Sequence, residues 1–359
     1  MLKHKYHLLF EISVSLVLVA FVALLLLAWG PAHAAPAQQA GPLAACAEAA
    51  FSTEQHFVSR GEPPADGNPV ISGGDLLSPR GVVCLRNADL LRAFMPAGVP
   101  PLGDLGLDAV DILTLDPPLV AFSTEIDHPQ GRFTEGDILT TSGVIIPNRV
   151  LLKAFGVNYD VGLDEVKFIG KTEDVQAFLD FAKNQNPQTW PQVNLPEVLT
   201  RYKIDIWFST EQTVPQSEKG RLLDGDILSA RDAAVVISQD TLFDAAVPGG
   251  IPARGVDFGL DAFAVRCDGT RDTIRFSTEI SYHDDAARAF TDGDLLKLGG
   301  AVLMTNKDFV DAFKPFANDI GLDAVAFYPD RKACSQAGNP TFFNFLPLLL
   351  KQFNLQRAP

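Results

Sequence analysis

The chain has 359 residues and a formal charge of −15, from 29 Lys and Arg against 44 Asp and Glu. An acidic chain without a basic cluster repels phosphate backbones, which excludes nucleic acid as a partner. The length is ample for a sizeable core, built as two domains or as one large repeat fold.

A short basic start, an apolar run and the step Ala32-His33-Ala34 read as a signal peptide over residues 1–34. The run from Ile12 to Trp29 is also nearly long enough to span a bilayer, so an uncleaved membrane anchor over 12–29 is the alternative. Both readings place the folded part outside the cytoplasm, secreted or in the cell envelope, touching membrane only through that segment. Four cysteines in an oxidising compartment allow two disulfides, with three possible pairings.

The tetrapeptide Phe-Ser-Thr-Glu then recurs, at residues 51–54, 122–125, 208–211 and 276–279. Each copy is followed by a Gly-Asp and an apolar pair, as at Gly74-Asp75-Leu76-Leu77 and Gly136-Asp137-Ile138-Leu139. Next come a short apolar run, a two-turn helical pattern and a closing Gly-Leu-Asp, the last ending at Asp108, Asp164, Asp261 and Asp323. Matching elements in one order define an internal repeat of roughly seventy residues. The repeats span 46–115, 116–170, 204–266 and 267–330. Each reads as about four short strands plus a short helix, so the fold class is mainly β. Asn87, Asn148 and Asn306 stand where an Asn side chain caps a helix.

Such a unit cannot bury its own apolar face and packs on its neighbours. Four units suggest a closed, propeller-like ring. The short links LDPP and CDGT read as hairpins, so the last strand of one unit pairs with the first strand of the next. Residues 171–203 interrupt the series with an amphipathic helix and a Pro-rich link. They leave two packed two-repeat β domains as the alternative. The tail 331–359 is apolar, broken by Pro347, and reads as cover for an exposed edge. Counting along the hairpins puts Cys46 beside Cys334 in a closed ring, so a disulfide between them is the favoured staple. Cys84 then fills the core as a free thiol; the alternative is the local pairing Cys46–Cys84 and Cys267–Cys334.

Three sets of residues are candidates for chemistry. The mature chain holds three histidines, His56, His128 and His283, each just after a Phe-Ser-Thr-Glu. If those loops gather on one axis, the imidazoles form a zinc-type site or, with Asp127, Asp284 or Asp285, the centre of a metal-dependent enzyme. Asp137, Asp226 and Asp294, on acid-Gly-Asp turns, are candidate calcium ligands, set against ordinary turn chemistry. The Asp of each Gly-Leu-Asp invites the turn reading more strongly. Glu54, Glu125, Glu211 and Glu279 occupy four equivalent settings, which offer none of the asymmetry that paired acid–base catalysis needs, so they read as structural. No nucleophile elbow, zinc-protease or phosphate-loop motif is present. The sequence therefore favours a non-enzymatic binding or structural scaffold with a protein or glycan ligand. A metal protein is the alternative, and a divalent metal is the one cofactor class suggested.

Overall fold

A computed structural model describes residues 42–95 and 103–335, which fall in one compact unit. The signal or anchor segment 1–34 and the tail beyond residue 335 lie outside the described residues. The described chain is mainly β, with short helices between strands. No described helix is long and apolar enough to cross a membrane.

Four antiparallel sheets share one strand order. The first runs Val325–Ala326, Ala50–Phe51, Leu76–Ser78, Val82–Leu85. The second runs Val110–Leu115, Pro118–Phe122, Ile138–Thr140, Ile145–Ile146. The third runs Glu165–Ile169, Asp205–Ser209, Ile227–Ser229, Ala234–Ile237, and the fourth Phe263–Ala264, Arg275–Phe276, Leu295–Lys297, Ala301–Met304. The first sheet joins early and late parts of the described chain: Ala50 pairs with Ala326 and Phe51 with Val325. Pairing also runs across the 171–203 insertion, because Glu165–Ile169 pairs directly with Asp205–Ser209.

The core falls in four clusters, each shared by two sheets. Ala50 and Leu76 pack with Val110 and Phe122, Ala121 and Ile138 with Phe168 and Phe208, Trp207 with Phe263 and Phe276, and Phe51 and Leu77 with Ala264 and Leu295. Burying one such phenylalanine contributes about 2–3 kcal/mol. The insertion forms two helices, Thr172–Ala182 and Leu195–Tyr202, whose Val175, Phe178, Leu179 and Leu199 extend the second of these clusters.

The first strands of the four sheets lie side by side, Val110–Leu115 against Val325–Ala326 and Glu165–Ile169, and Phe263–Ala264 against the same two. Their outer edges would leave backbone groups unpaired. A buried ion pair satisfies several of them. Glu165 accepts from the amides of Val110 (2.9 Å) and Val325 (3.1 Å). Lys167, 3.2 Å from Glu165, donates to the carbonyls of Val325 (2.9 Å) and Val110. Burial raises the Glu165 carboxyl to about 7 even though Lys167 and the amides pull the other way.

Two expectations are corrected. The disulfides are Cys46–Cys84 and Cys267–Cys334, not Cys46–Cys334, and Cys84 is not a free thiol. The residue count along the hairpins fails because neither terminal cysteine lies on a strand. Cys46 ends a 3-10 turn, Pro42–Cys46, packed on Val82–Leu85. Cys334 sits on the helix Tyr328–Ser335, which Arg331 anchors to Asp111 (2.7 Å) and to the Gly170 carbonyl (3.1 Å), beside Cys267. The two disulfides suit an oxidising, extracytoplasmic compartment. The asparagines are not N-caps either: Asn87, Asn148 and Asn306 are the first helical residues. Their amides donate to Asp75, Asp137 and Asp294, while their side chains hold the Gly-Leu-Asp loops, Asn148 Nδ2 donating to Gly162 O at 2.9 Å.

Candidate cation centre

Each letter of Phe-Ser-Thr-Glu has a separate task. The phenylalanines are buried in the four core clusters. The serines cross to the next sheet: Ser52 donates to Leu107 O (2.8 Å), Ser123 to Leu163 O (3.0 Å) and Ser277 to Leu322 O (3.4 Å). The Ser209 hydroxyl has no hydrogen-bond partner. The threonines close the following turn, Thr53, Thr124, Thr210 and Thr278 each donating to the carbonyl two residues on, at 3.1–3.2 Å.

The glutamates end beside the Gly-Leu-Asp loops. In an antiparallel pair the start of one strand and the end of the next share one end of the sheet, so the two acids are brought together. A Cβ on Gly106 would lie 2.3 Å from the Glu125 carboxyl carbon, and one on Gly321 would lie 2.4 Å from that of Glu54. Both glycines also have φ of +74°, so no other residue fits the turn and leaves room for the carboxyl.

Each loop aspartate then faces the glutamate of the next sheet. Asp108 contacts Glu211, and Asp323 contacts Glu125, carboxyl against carboxyl. The strongest charged neighbour of Asp164 is Glu279, and that of Asp261 is Glu54. The Oδ2 atoms of all four aspartates are buried without a hydrogen-bond partner, and Asp108 and Asp164 are each 6% exposed. Two ionised carboxylates both accept and neither donates, so such a contact is satisfied only by a shared proton or a cation. Two carboxylates that both stay ionised 4 Å apart would cost about 4 kcal/mol at an effective dielectric of about 20, less where Glu125 reaches solvent.

The groups respond accordingly. Burial, then neighbouring carboxylates, pushes Glu54 up to about 7, as they do Glu211; burial and Asp257 push Glu279 up to about 6. Asp108, Asp164, Asp261 and Asp323 stand well above the usual carboxylate range, burial first and like charges second. The charged groups acting most strongly on these eight are other carboxylates; His56, beside Glu125, is the exception. A further pair, Asp224 and Asp257, flanks Glu279, and burial with Asp257 raises Asp224 to about 8.

Among the described residues, the one group with metal-ligand spacing is Asp108, Glu125 and Asp323, each with a ligand atom within 4.8 Å of the others. None of the histidines belongs to it. His56 is exposed, accepts from Gly73 N–H (3.2 Å) and lies 3.4 Å from Asp104. His128 is buried against Phe133 with its Nδ1 accepting from Gln130 N–H (3.0 Å), and burial, with Arg132 second, lowers its pKa. His283 lies on a small hairpin, Tyr282–His283 paired with Ala289–Phe290. Nor do the candidate calcium ligands meet. Asp137 accepts from the amides of Thr134 and Asn148, Asp226 from Leu223 and Gln239, and Asp294 from Thr291 and Asn306, one on each oxygen. Their lone pairs serve the turn and the helix start. Asp127 and Asp284 likewise accept from local amides, of Glu135 and of Ala286 and Arg288.

The residues that do converge, the Phe-Ser-Thr-Glu glutamates and Gly-Leu-Asp aspartates, are the ones the sequence reading set aside as structural. The signal for them was the hairpin itself, which places both acids at one sheet end. Fold and site define a mainly β, disulfide-bonded chain with an all-carboxylate centre. Comparison with protein-family models, with curated proteins and with solved structures found no match.

Proposed function

We propose that this chain is an exported, non-enzymatic β-repeat scaffold, its four sheets closed as a propeller-like ring, whose acidic mouth binds cationic ligands. Ring closure is supported by the pairing of Phe51 with Val325, by three serines that step from one sheet to the next, and by core clusters shared between successive sheets. One observation carries the binding reading: four aspartates, each with a buried oxygen that has no hydrogen-bond partner, have carboxylates rather than basic groups as their strongest charged neighbours. Export is supported by the N-terminal sequence and by the two disulfides. The test is a calorimetric titration at pH 7.5 and low salt with calcium, magnesium and spermine. Saturable binding of at least one cation is expected, and no binding of any of them contradicts the reading.

A second reading rests on a cleft of about 450 Å³ beside the insertion, where Arg132, Arg149 and Lys183 line one space with Tyr159 and Trp190. Asp127, Asp137 and Asp160 line it too, and aromatic rings among charged groups of both signs suit a glycan. A screen of neutral and uronate oligosaccharides, repeated on Arg149→Ala, tests it: binding lost in the variant supports the cleft, and no binding to the wild type removes it.

A further inference from the structure

We propose that Asp108, Glu125 and Asp323 bind one calcium-sized divalent cation, an inference that rests on the cationic-ligand reading above and names the ligand. The spacing fits. Oxygens on opposite sides of an ion held at about 2.4 Å lie about 4.8 Å apart, so three ligand atoms within 4.8 Å of one another can share one ion without backbone movement.

The donor set selects the metal. All three ligands are carboxylates, with no imidazole or thiolate among them, which suits a hard cation and disfavours zinc or copper. They come from two sheets, Asp323 from the strand pair that joins early and late parts of the described chain and Asp108 and Glu125 from the second sheet. A bound ion therefore bridges the sheet that closes the chain. Calcium accepts such irregular sites and completes its shell with water, whereas magnesium demands near-octahedral geometry.

Burial supplies the independent indication. Asp108 Oδ2 is sealed from solvent with no donor, and Asp323 Oδ2 is in the same condition. Glu125 is exposed, so it gives the ion a way in from solvent. Among the described residues, Asp164 and Asp261 share the unpartnered oxygen but not the ligand spacing, and the lone pairs of Asp75, Asp137, Asp226 and Asp294 are already taken by backbone amides. The Asp108–Glu125–Asp323 group instead leaves acceptors facing acceptors.

The experiment uses the exported, purified chain, stripped with chelator and titrated calorimetrically with calcium chloride at pH 7.5, with thermal unfolding followed in parallel. One site per chain is expected, with an unfolding temperature that rises with calcium. Glu125→Gln, at an exposed position that tolerates the change, and Asp323→Asn are each expected to weaken affinity at least tenfold. Asp272→Asn, on an exposed turn, is expected to bind as the wild type does. Calcium binding unchanged in both ligand variants, or no calcium binding by the wild type, overturns the proposal. Spermine bound without calcium overturns the metal and leaves the cationic centre standing, while failure of both removes both.

Discussion

Replacing Asp108 by Asn is expected to stabilise the metal-free protein at alkaline pH. Asp108 is 6% exposed, its Oδ2 has no hydrogen-bond partner, and its carboxyl contacts that of Glu211. An Asn amide nitrogen in that place donates to Glu211 and removes one of two like charges. A hydrogen bond to a charged group contributes about 1.5–3 kcal/mol, so a gain of about 2 kcal/mol at pH 8.5 is expected. The gain depends on pH, because protonated Asp108 can itself donate to Glu211. It therefore shrinks as pH falls and the wild type makes the same bond with a shared proton. Urea unfolding followed by fluorescence, in chelator at pH 5 and 8.5, measures both values. A variant that loses stability equally at both pH values refutes the argument, since the facing carboxylates would then carry no strain.

The raised carboxyls make a general statement about pH. With Glu54 and Glu211 near 7 and Glu279 near 6, the native state holds protons that the unfolded chain has released, so this stabilisation is complete below about pH 4 and is lost as pH rises through 6–7. In chelator the urea midpoint is expected to fall between pH 5 and 8; a flat or rising profile contradicts the shifts. Lys167→Met leaves Glu165 buried without its partner and strips two carbonyls of a donor, so a loss of about 3–5 kcal/mol is expected in equilibrium unfolding. A change under 1 kcal/mol would mean the pair is dispensable. Cys267→Ala with Cys334→Ala opens a loop of 67 residues and is expected to lower stability by about 2–5 kcal/mol under non-reducing conditions. Equal stability with and without the bond would count against its place in the fold.

Much of the local architecture was legible in the sequence because it is local chemistry. The Val- and Ile-rich runs became strands, and the spacing of Val175, Phe178 and Leu179 marked the amphipathic helix of the insertion. The hairpin links gave the pairing of Val110–Leu115 with Pro118–Phe122. What failed depended on where side chains point after the chain leaves a strand. Cys334 sits on a helix where a hairpin was counted, so its partner is Cys267 rather than Cys46. Asn148 looked like a cap, but Asp137 already serves the helix start, which frees its amide to hold the Gly162 loop. The site was hidden for a similar reason. Equivalence among Glu54, Glu125, Glu211 and Glu279 argued against acid–base catalysis, yet the same equivalence sends four glutamates and four aspartates to one end of their sheets. His56, His128 and His283 shared a sequence position without sharing a place: the first is exposed beside Asp104, the second is buried on Phe133, and the third stands on a separate hairpin.

The most direct test of the account is anomalous diffraction from crystals grown with terbium, a calcium mimic. One strong peak is expected about 2.3–2.6 Å from carboxylate oxygens of Asp108, Glu125 and Asp323. Peaks confined to exposed surface carboxylates, with none between those three residues, would contradict it.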